Sequence, residues 1–141
     1  MEFEPTFLTL AEVFEIHKNQ IELYGGMEGI RDISLLTAAI AMPGVTFDGK
    51  YLHTDLFEMA AAYVFHICMN HPFVDGNKRT GLAAALVFLD LNGIEIEDPE
   101  GTLYEAIIKV ASGLEKKDFL AAFFKKLSVN GTLDAGSSLW T

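Results

Sequence analysis

Nine consecutive residues, His71-Pro72-Phe73-Val74-Asp75-Gly76-Asn77-Lys78-Arg79, concentrate the groups in this chain that can carry chemistry. A neutral imidazole such as that of His71 takes a proton from an attacking hydroxyl near neutral pH. Lys78 and Arg79 supply two positive charges, and an arginine fork grips phosphate oxygens. Asp75 opposes them in sign, so beside phosphates it makes sense as a magnesium ligand. Gly76 lets the backbone approach a ligand, and Asn77 suits the N-cap of a helix whose first N–H groups and dipole favour an anion. The pattern points to a nucleoside triphosphate handled through one loop. A structural alternative stands beside it: His71 capping a helix end, Asp75 and Arg79 forming a local ion pair, and Asn77 serving only as a cap.

Two helices must hold this loop. Pro72 disfavours the helical region for His71, so the preceding helix ends there. That helix is expected from Leu56 to about Asn70, capped by Thr54 or Asp55, and the next from about Lys78 to Asn92. Both are apolar around much of their circumference and belong in the middle of a domain. Upstream, Thr9-Leu10-Ala11-Glu12 reads as a capping box opening a helix that Gly25-Gly26 stops. Asp32 caps a short second helix that Pro43 closes. Thr46-Phe47-Asp48-Gly49-Lys50-Tyr51 places β-prone residues on both sides of Asp-Gly, a hairpin read as an exposed flap. Downstream, Asp98-Pro99 is expected to cap and open a helix running to about Ser112-Gly113, and a last amphipathic helix covers roughly Lys116 to Leu127. The expected organisation is one domain over residues 1–127 and a flexible tail over 128–141, rich in Gly and Ser.

Ten basic against twenty acidic residues give a formal charge of -10, which argues against direct nucleic-acid binding. Half the 141 residues are hydrophobic, ample for a core. The acidic start Met1-Glu2-Phe3-Glu4 lacks the pattern of a signal peptide, and no apolar run is long enough to span a bilayer, so a cytoplasmic location without membrane partners is expected. Cys68, the single cysteine, excludes an internal disulfide and reads as a small buried hydrophobe. His17 is placed on the polar side of the first helix, His53 in the flap region, and His66 on the helix before the loop. None of the three has a spacing suited to a metal pair, so they are given structural or surface roles.

The nine-residue loop resembles the signature of the Fic/Doc superfamily, His-(Pro)-Phe-x-Asp/Glu-Gly/Ala-Asn-Gly/Lys-Arg. The segments 8–13, 25–32 and 81–89 also resemble its short death-on-curing (Doc) branch, the toxins of toxin–antitoxin pairs. The resemblance covers roughly residues 7–125. It implies an all-α, Fic-type bundle of about six helices with a small β-hairpin flap. It implies His71 as catalytic base and Asp75 as the holder of Mg2+. Among the nucleotide- and phosphate-binding residues, Phe73 would anchor the loop, Gly76 and Asn77 would form the phosphate turn, and Lys78 and Arg79 would contact phosphates. The flap residues Thr46, Phe47, Asp48, Gly49, Lys50 and Tyr51 would align a target segment by adding a strand.

Two departures bear on the reaction. Adenylyl-transferring Fic enzymes usually have Gly where this chain has Lys78, and a second Arg where it has Leu82. The Doc branch shares the Lys and the missing Arg, and is associated with transferring the terminal phosphate of ATP to a threonine of elongation factor Tu. The resemblance therefore implies a toxin kinase, with ATP as co-substrate. Gly76, in place of the Ala typical of Doc, keeps a Fic-type adenylyl- or nucleotidyl-transferase as the alternative; a non-catalytic anion-binding module is a third reading. Ser128-Val129-Asn130-Gly131 lacks the glutamate of the superfamily's inhibitory helix motif. That implies inhibition in trans by an antitoxin whose disordered segment folds on binding.

Overall fold

The computed structural model describes residues 3–129. Its first helix, α1 (Leu10–Tyr24), starts where the sequence signals it. The Thr9 hydroxyl accepts the Glu12 amide at 3.1 Å, and the Glu12 carboxylate accepts the Thr9 amide at 2.8 Å. Gly25 ends it. Asp32 caps α2 (Ile33–Ala41) by accepting the Leu35 amide at 3.0 Å, and Pro43 lies in the 3-10 turn Met42–Gly44 that follows.

Strands β1 (Thr46–Phe47) and β2 (Lys50–Tyr51) form the hairpin, with Thr46 opposite Tyr51 and Phe47 opposite Lys50. Asp48 and Gly49 both have positive φ, +55° and +75°, as a two-residue hairpin turn of the primed type requires. Phe47 is left 81 % exposed at the tip.

Helices α3 (Leu56–Asn70) and α4 (Asn77–Leu91) form the centre, and α5 (Leu103–Ala111) and α6 (Lys117–Leu127) close around α3. Of the two candidate caps Asp55 is the one used, accepting the Glu58 amide, while Thr54 instead donates its amide to the Glu58 carboxylate. From Met59 to Val64 every side chain of α3 is fully buried, which leaves no polar face on that stretch. Where α3 and α4 cross, a Cβ on Gly81 would sit 3.3 Å from the Val64 Cα, so glycine lets the two backbones come together. Tyr63, Phe73, Phe88 and Phe124 are the largest fully buried side chains. The Tyr63 hydroxyl accepts the Leu8 amide at 2.9 Å, tying the N-terminal segment to α3, and burial pushes its phenol up to about 12.

The described residues therefore form an all-α bundle of six α-helices with one small hairpin, as expected. No helix among them is long and apolar enough to cross a membrane. Two boundaries differ from the sequence reading. Helix α5 starts at Leu103, because Gly101 takes φ +68° and closes a turn on the Asp98 carbonyl. Pro99 is thus outside the helix, and Asp98 caps from a distance, accepting the amides of Thr102 and Leu103. Ser128 and Val129, assigned by sequence to the tail, pair with the chain near Ile96: Ser128 bridges Ile96 and the Val129 amide donates to the Glu95 carbonyl. The rest of that tail lies outside the described residues.

Thr80 on α4 is fully buried and its hydroxyl has no hydrogen-bond partner among the described residues. A buried hydroxyl without a partner costs about 1–3 kcal/mol of desolvation. Thr80→Val keeps the shape and removes that group, so the expected result is unchanged or higher stability in urea denaturation. A clear loss would show that the hydroxyl has a partner.

Candidate active site

The loop between α3 and α4 is built by turning the chain twice into the left-handed region. His71 is the C-cap of α3 with φ +51° and ψ +53°, and Gly76 is the N-cap of α4 with φ +77°. The first is a conformation that histidine tolerates at a modest cost. Arg31 holds it in place: its Nε donates to the His71 carbonyl at 2.7 Å and its Nη2 to the Asn70 carbonyl at 3.0 Å. A cation on the last carbonyls of a helix is favoured by the dipole as well as by the hydrogen bonds. The Arg31 and Asp32 amides both donate to the Pro72 carbonyl.

Phe73 pins the loop from below. Its side chain is fully buried, and its ring stacks on His17 with centroids 3.8 Å apart and planes at 4°. It does not line the surface cavity, and what it anchors is the loop itself. Its backbone is clasped by Asn77, whose Oδ1 accepts the Phe73 amide and whose Nδ2 donates to the Phe73 carbonyl, each at 3.0 Å. This corrects the expected N-cap role of Asn77. The residue is the first of the helix, and no side chain at the cap position answers the first-turn N–H groups of α4.

His17 is the residue supporting the loop that pattern reading misplaced. It is only 3 % exposed, and its Nε2–H donates to the Asp75 carbonyl at 2.8 Å. Its position on α1 shows one buried stripe with Val13 and Ile21, and that i, i+4 spacing was the available signal. Gly76 also differs in its reason. A Cβ there would meet Ile21 Cδ1 at 3.1 Å, and the positive φ disfavours any side chain.

One cavity of about 250 Å3 is lined by His71, Asp75, Gly76, Asn77, Lys78 and Arg79, together with Tyr24, Gly25, Val74 and Tyr104. None of the six flap residues lines it. The Asp75 carboxylate accepts the Met27 amide through Oδ2 at 3.1 Å and the Gly76 amide through Oδ1 at 2.9 Å. A Cβ on Gly26 would lie 2.8 Å from Oδ2, so that glycine is what lets the loop after α1 close on the carboxylate. Arg79 pairs with no carboxylate among the described residues. Its guanidinium carbon lies 3.9 Å from the ring centroid of Tyr24 and 4.4 Å from that of Tyr104. The local Asp75–Arg79 ion pair of the structural alternative is therefore not formed.

The donors fit a magnesium ion carried by a phosphate. Each Asp75 oxygen accepts one amide and keeps a lone pair, and Mg2+ is commonly bound by one or two carboxylates, waters and substrate phosphates. Among the described residues no group of three His, Cys, Asp or Glu side chains could enclose an ion.

Cys68, partly buried, lines a neighbouring cavity of about 350 Å3 with His71, Asn77 and Lys78. Burial pushes its thiol up to about 11 against the pull of Lys78, so it is not a thiolate at neutral pH. His53 and His66 sit apart from the loop and converge on Lys117, whose Nζ is 3.3 and 3.2 Å from their Nε2 atoms. The adjoining cleft, about 490 Å3, is larger than the loop cavity but holds charges of both signs and none of the loop residues. Burial first, then Lys117 and His53, lowers the His66 pKa to about 4. Its folded pKa thus lies below the unfolded value of about 6.5. The unfolded chain binds the proton more readily, so this contribution to stability is complete above about pH 6.5 and is lost as pH falls toward 4. Urea midpoints measured across that window should fall with pH, and His66→Phe should flatten the slope; an unchanged slope would remove His66 as its source.

The model of the Fic/DOC family matches residues 7–89, more than half the chain. The chain belongs to the Fic/Doc family. It is 36 % identical to the protein kinase doc of Escherichia phage P1 over 103 residues, which cover 72 % of this chain and 79 % of that protein. It is 44 % identical to the toxin Doc of Mycolicibacterium smegmatis over 73 residues, covering 52 % of this chain and 56 % of that protein. The match thus spans little more than half of the mycobacterial relative and most of the phage one.

Proposed function

We propose that this Fic/Doc protein is the toxin of a toxin–antitoxin pair and acts as a kinase, transferring the terminal phosphoryl group of ATP to a hydroxyl of a protein target such as elongation factor Tu. The observation that carries the reading is the convergence of an exposed imidazole, a carboxylate, an uncapped helix start and two cations on one cavity. The relatives named toxin Doc and protein kinase doc support it.

In this reading the hydroxyl oxygen of the target attacks the terminal phosphorus. The new O–P bond forms as the bond to the bridging oxygen breaks, ADP leaves, and the hydroxyl proton passes to the His71 imidazole. The first-turn amides of α4, Lys78 and Arg79 stabilise the charge on the phosphoryl oxygens, the main protein contribution in such displacements. Asp75 would hold Mg2+, which neutralises phosphate charge when bound. The flap offers an unpaired strand edge and the exposed Phe47 to a target segment. An antitoxin would supply inhibition in trans, and a cytoplasmic setting follows from such a target.

Adenylyl transfer is the second reading, and two observations weigh against it. Leu82, where the adenylyl-transferring relatives carry arginine, packs against the core. Gly76, which had kept that reading open, is accounted for by its positive φ and by Ile21. Labelled ATP separates the two: label on the terminal phosphate should reach elongation factor Tu and label on the α-phosphate should not. Transfer of α-label alone would replace the kinase by a nucleotidyltransferase.

A further inference from the structure

Arg79 is held in a way that the signature does not specify. Its guanidinium carbon lies over two aromatic rings, 3.9 Å from the Tyr24 centroid and 4.4 Å from the Tyr104 centroid. Tyr24 is the last residue of α1 and Tyr104 lies in the first turn of α5, so two helices far apart in sequence meet on one side chain of α4. Both rings line the same cavity as His71 and Asp75. The chain leaves α1 immediately through Gly25 and Gly26, with φ +85° and +116°.

A planar cation held against ring faces makes its hydrogen bonds through its edge. All five N–H donors lie along that edge. Among the described residues no acceptor meets them, and no carboxylate balances the charge. The charge is nevertheless half-buried. An oriented, partly desolvated and unmatched donor edge suits an oxyanion, and fixing it beforehand lowers the ordering cost of binding.

We infer that Tyr24 and Tyr104 are positioning residues, a two-ring clamp that fixes the Arg79 guanidinium so that its edge meets the phosphate oxygens of ATP. The inference rests on the kinase reading, since it takes the anion to be the polyphosphate of that substrate. The rings act through their faces, so the phenol hydroxyls are dispensable. They act through Arg79, so without Arg79 they have nothing to position.

The test is calorimetric titration of the full chain with magnesium ATP, with the thermal midpoint of each variant measured in the absence of nucleotide. Replacing both tyrosines by leucine should weaken binding about tenfold, a few-fold for each cation–π contact. Replacing both by phenylalanine should restore most of that loss. Arg79→Met should weaken binding on its own, and adding the two leucines to it should cost nothing more. Tyr24 is 58 % exposed at a helix end, so Tyr24→Leu alone provides a folded variant if the double substitution does not fold. Unchanged or tighter binding by the leucine variants would overturn the inference, the latter by showing that the rings sequester Arg79. A further loss on top of Arg79→Met would also overturn it, because the rings would then touch the nucleotide themselves. A wild-type chain that binds no ATP would sink the kinase reading and the inference with it. Normal wild-type binding beside indifferent leucine variants sinks the inference alone.

Discussion

His71→Ala should lower phosphoryl transfer about 100- to 10,000-fold, the range that a positioned general base contributes, while ATP binding and the thermal midpoint stay close to wild type. The side chain is exposed, and among the described residues no hydrogen bond or ring contact involves its imidazole; what the fold uses is the His71 backbone, whose amide caps α3 and whose carbonyl takes the Arg31 Nε. Alanine keeps both. It has the same Cβ as histidine, so the left-handed backbone does not add a new clash. The separation of chemistry from binding distinguishes a base from a phosphate ligand. If ATP affinity and rate fell together by the same factor, His71 would be a ligand for the nucleotide, and another group would take the proton. Initial rates at saturating ATP, with calorimetric binding alongside, check this.

Phe73→Ala should have the largest effect on stability, about 3–5 kcal/mol, as for other fully buried aromatic residues. The ring fills the core below the loop and stacks on His17. Its loss leaves a cavity and also frees His17, whose Nε2–H holds the Asp75 carbonyl. Stability and function are therefore linked here: the loop that carries Asp75 is held from beneath by one aromatic stack. The urea midpoint should drop strongly at an unchanged slope. Phe73→Leu, which keeps much of the volume, should lose less stability but still loosen the stack. A loss below about 1 kcal/mol for Phe73→Ala would mean that the surroundings collapse into the space and that the loop is held by Asn77 and Arg31 alone.

The loop itself was legible because its chemistry is local. Pro72 forces the helix to stop, Gly76 permits the restart, and the charged residues follow within a few positions. The helix starts at Thr9, Asp32 and Asp55 were legible for the same reason, since a cap is decided within one turn. What the sequence concealed is the support that arrives from elsewhere. His17 precedes Asp75 by 58 positions and its polar type suggested a surface role, yet stacking and one hydrogen bond meet its needs in the core. Arg31, to which the sequence assigned no role of its own, is the clamp on the end of α3. Asn77 has the right type for a cap, but its amide reaches backward to Phe73 instead. Pro99 was placed in a helix by a pattern that Gly101 interrupts. In each case a tertiary partner or a later break outweighed a local preference.

The measurement that bears most directly on the account is the intact mass of elongation factor Tu after incubation with the purified chain, magnesium and ATP, run beside His71→Ala. The account predicts a gain of one phosphoryl group with the wild type and none with the variant. A gain of one adenylyl group, or a phosphoryl gain that persists in the variant, would contradict it.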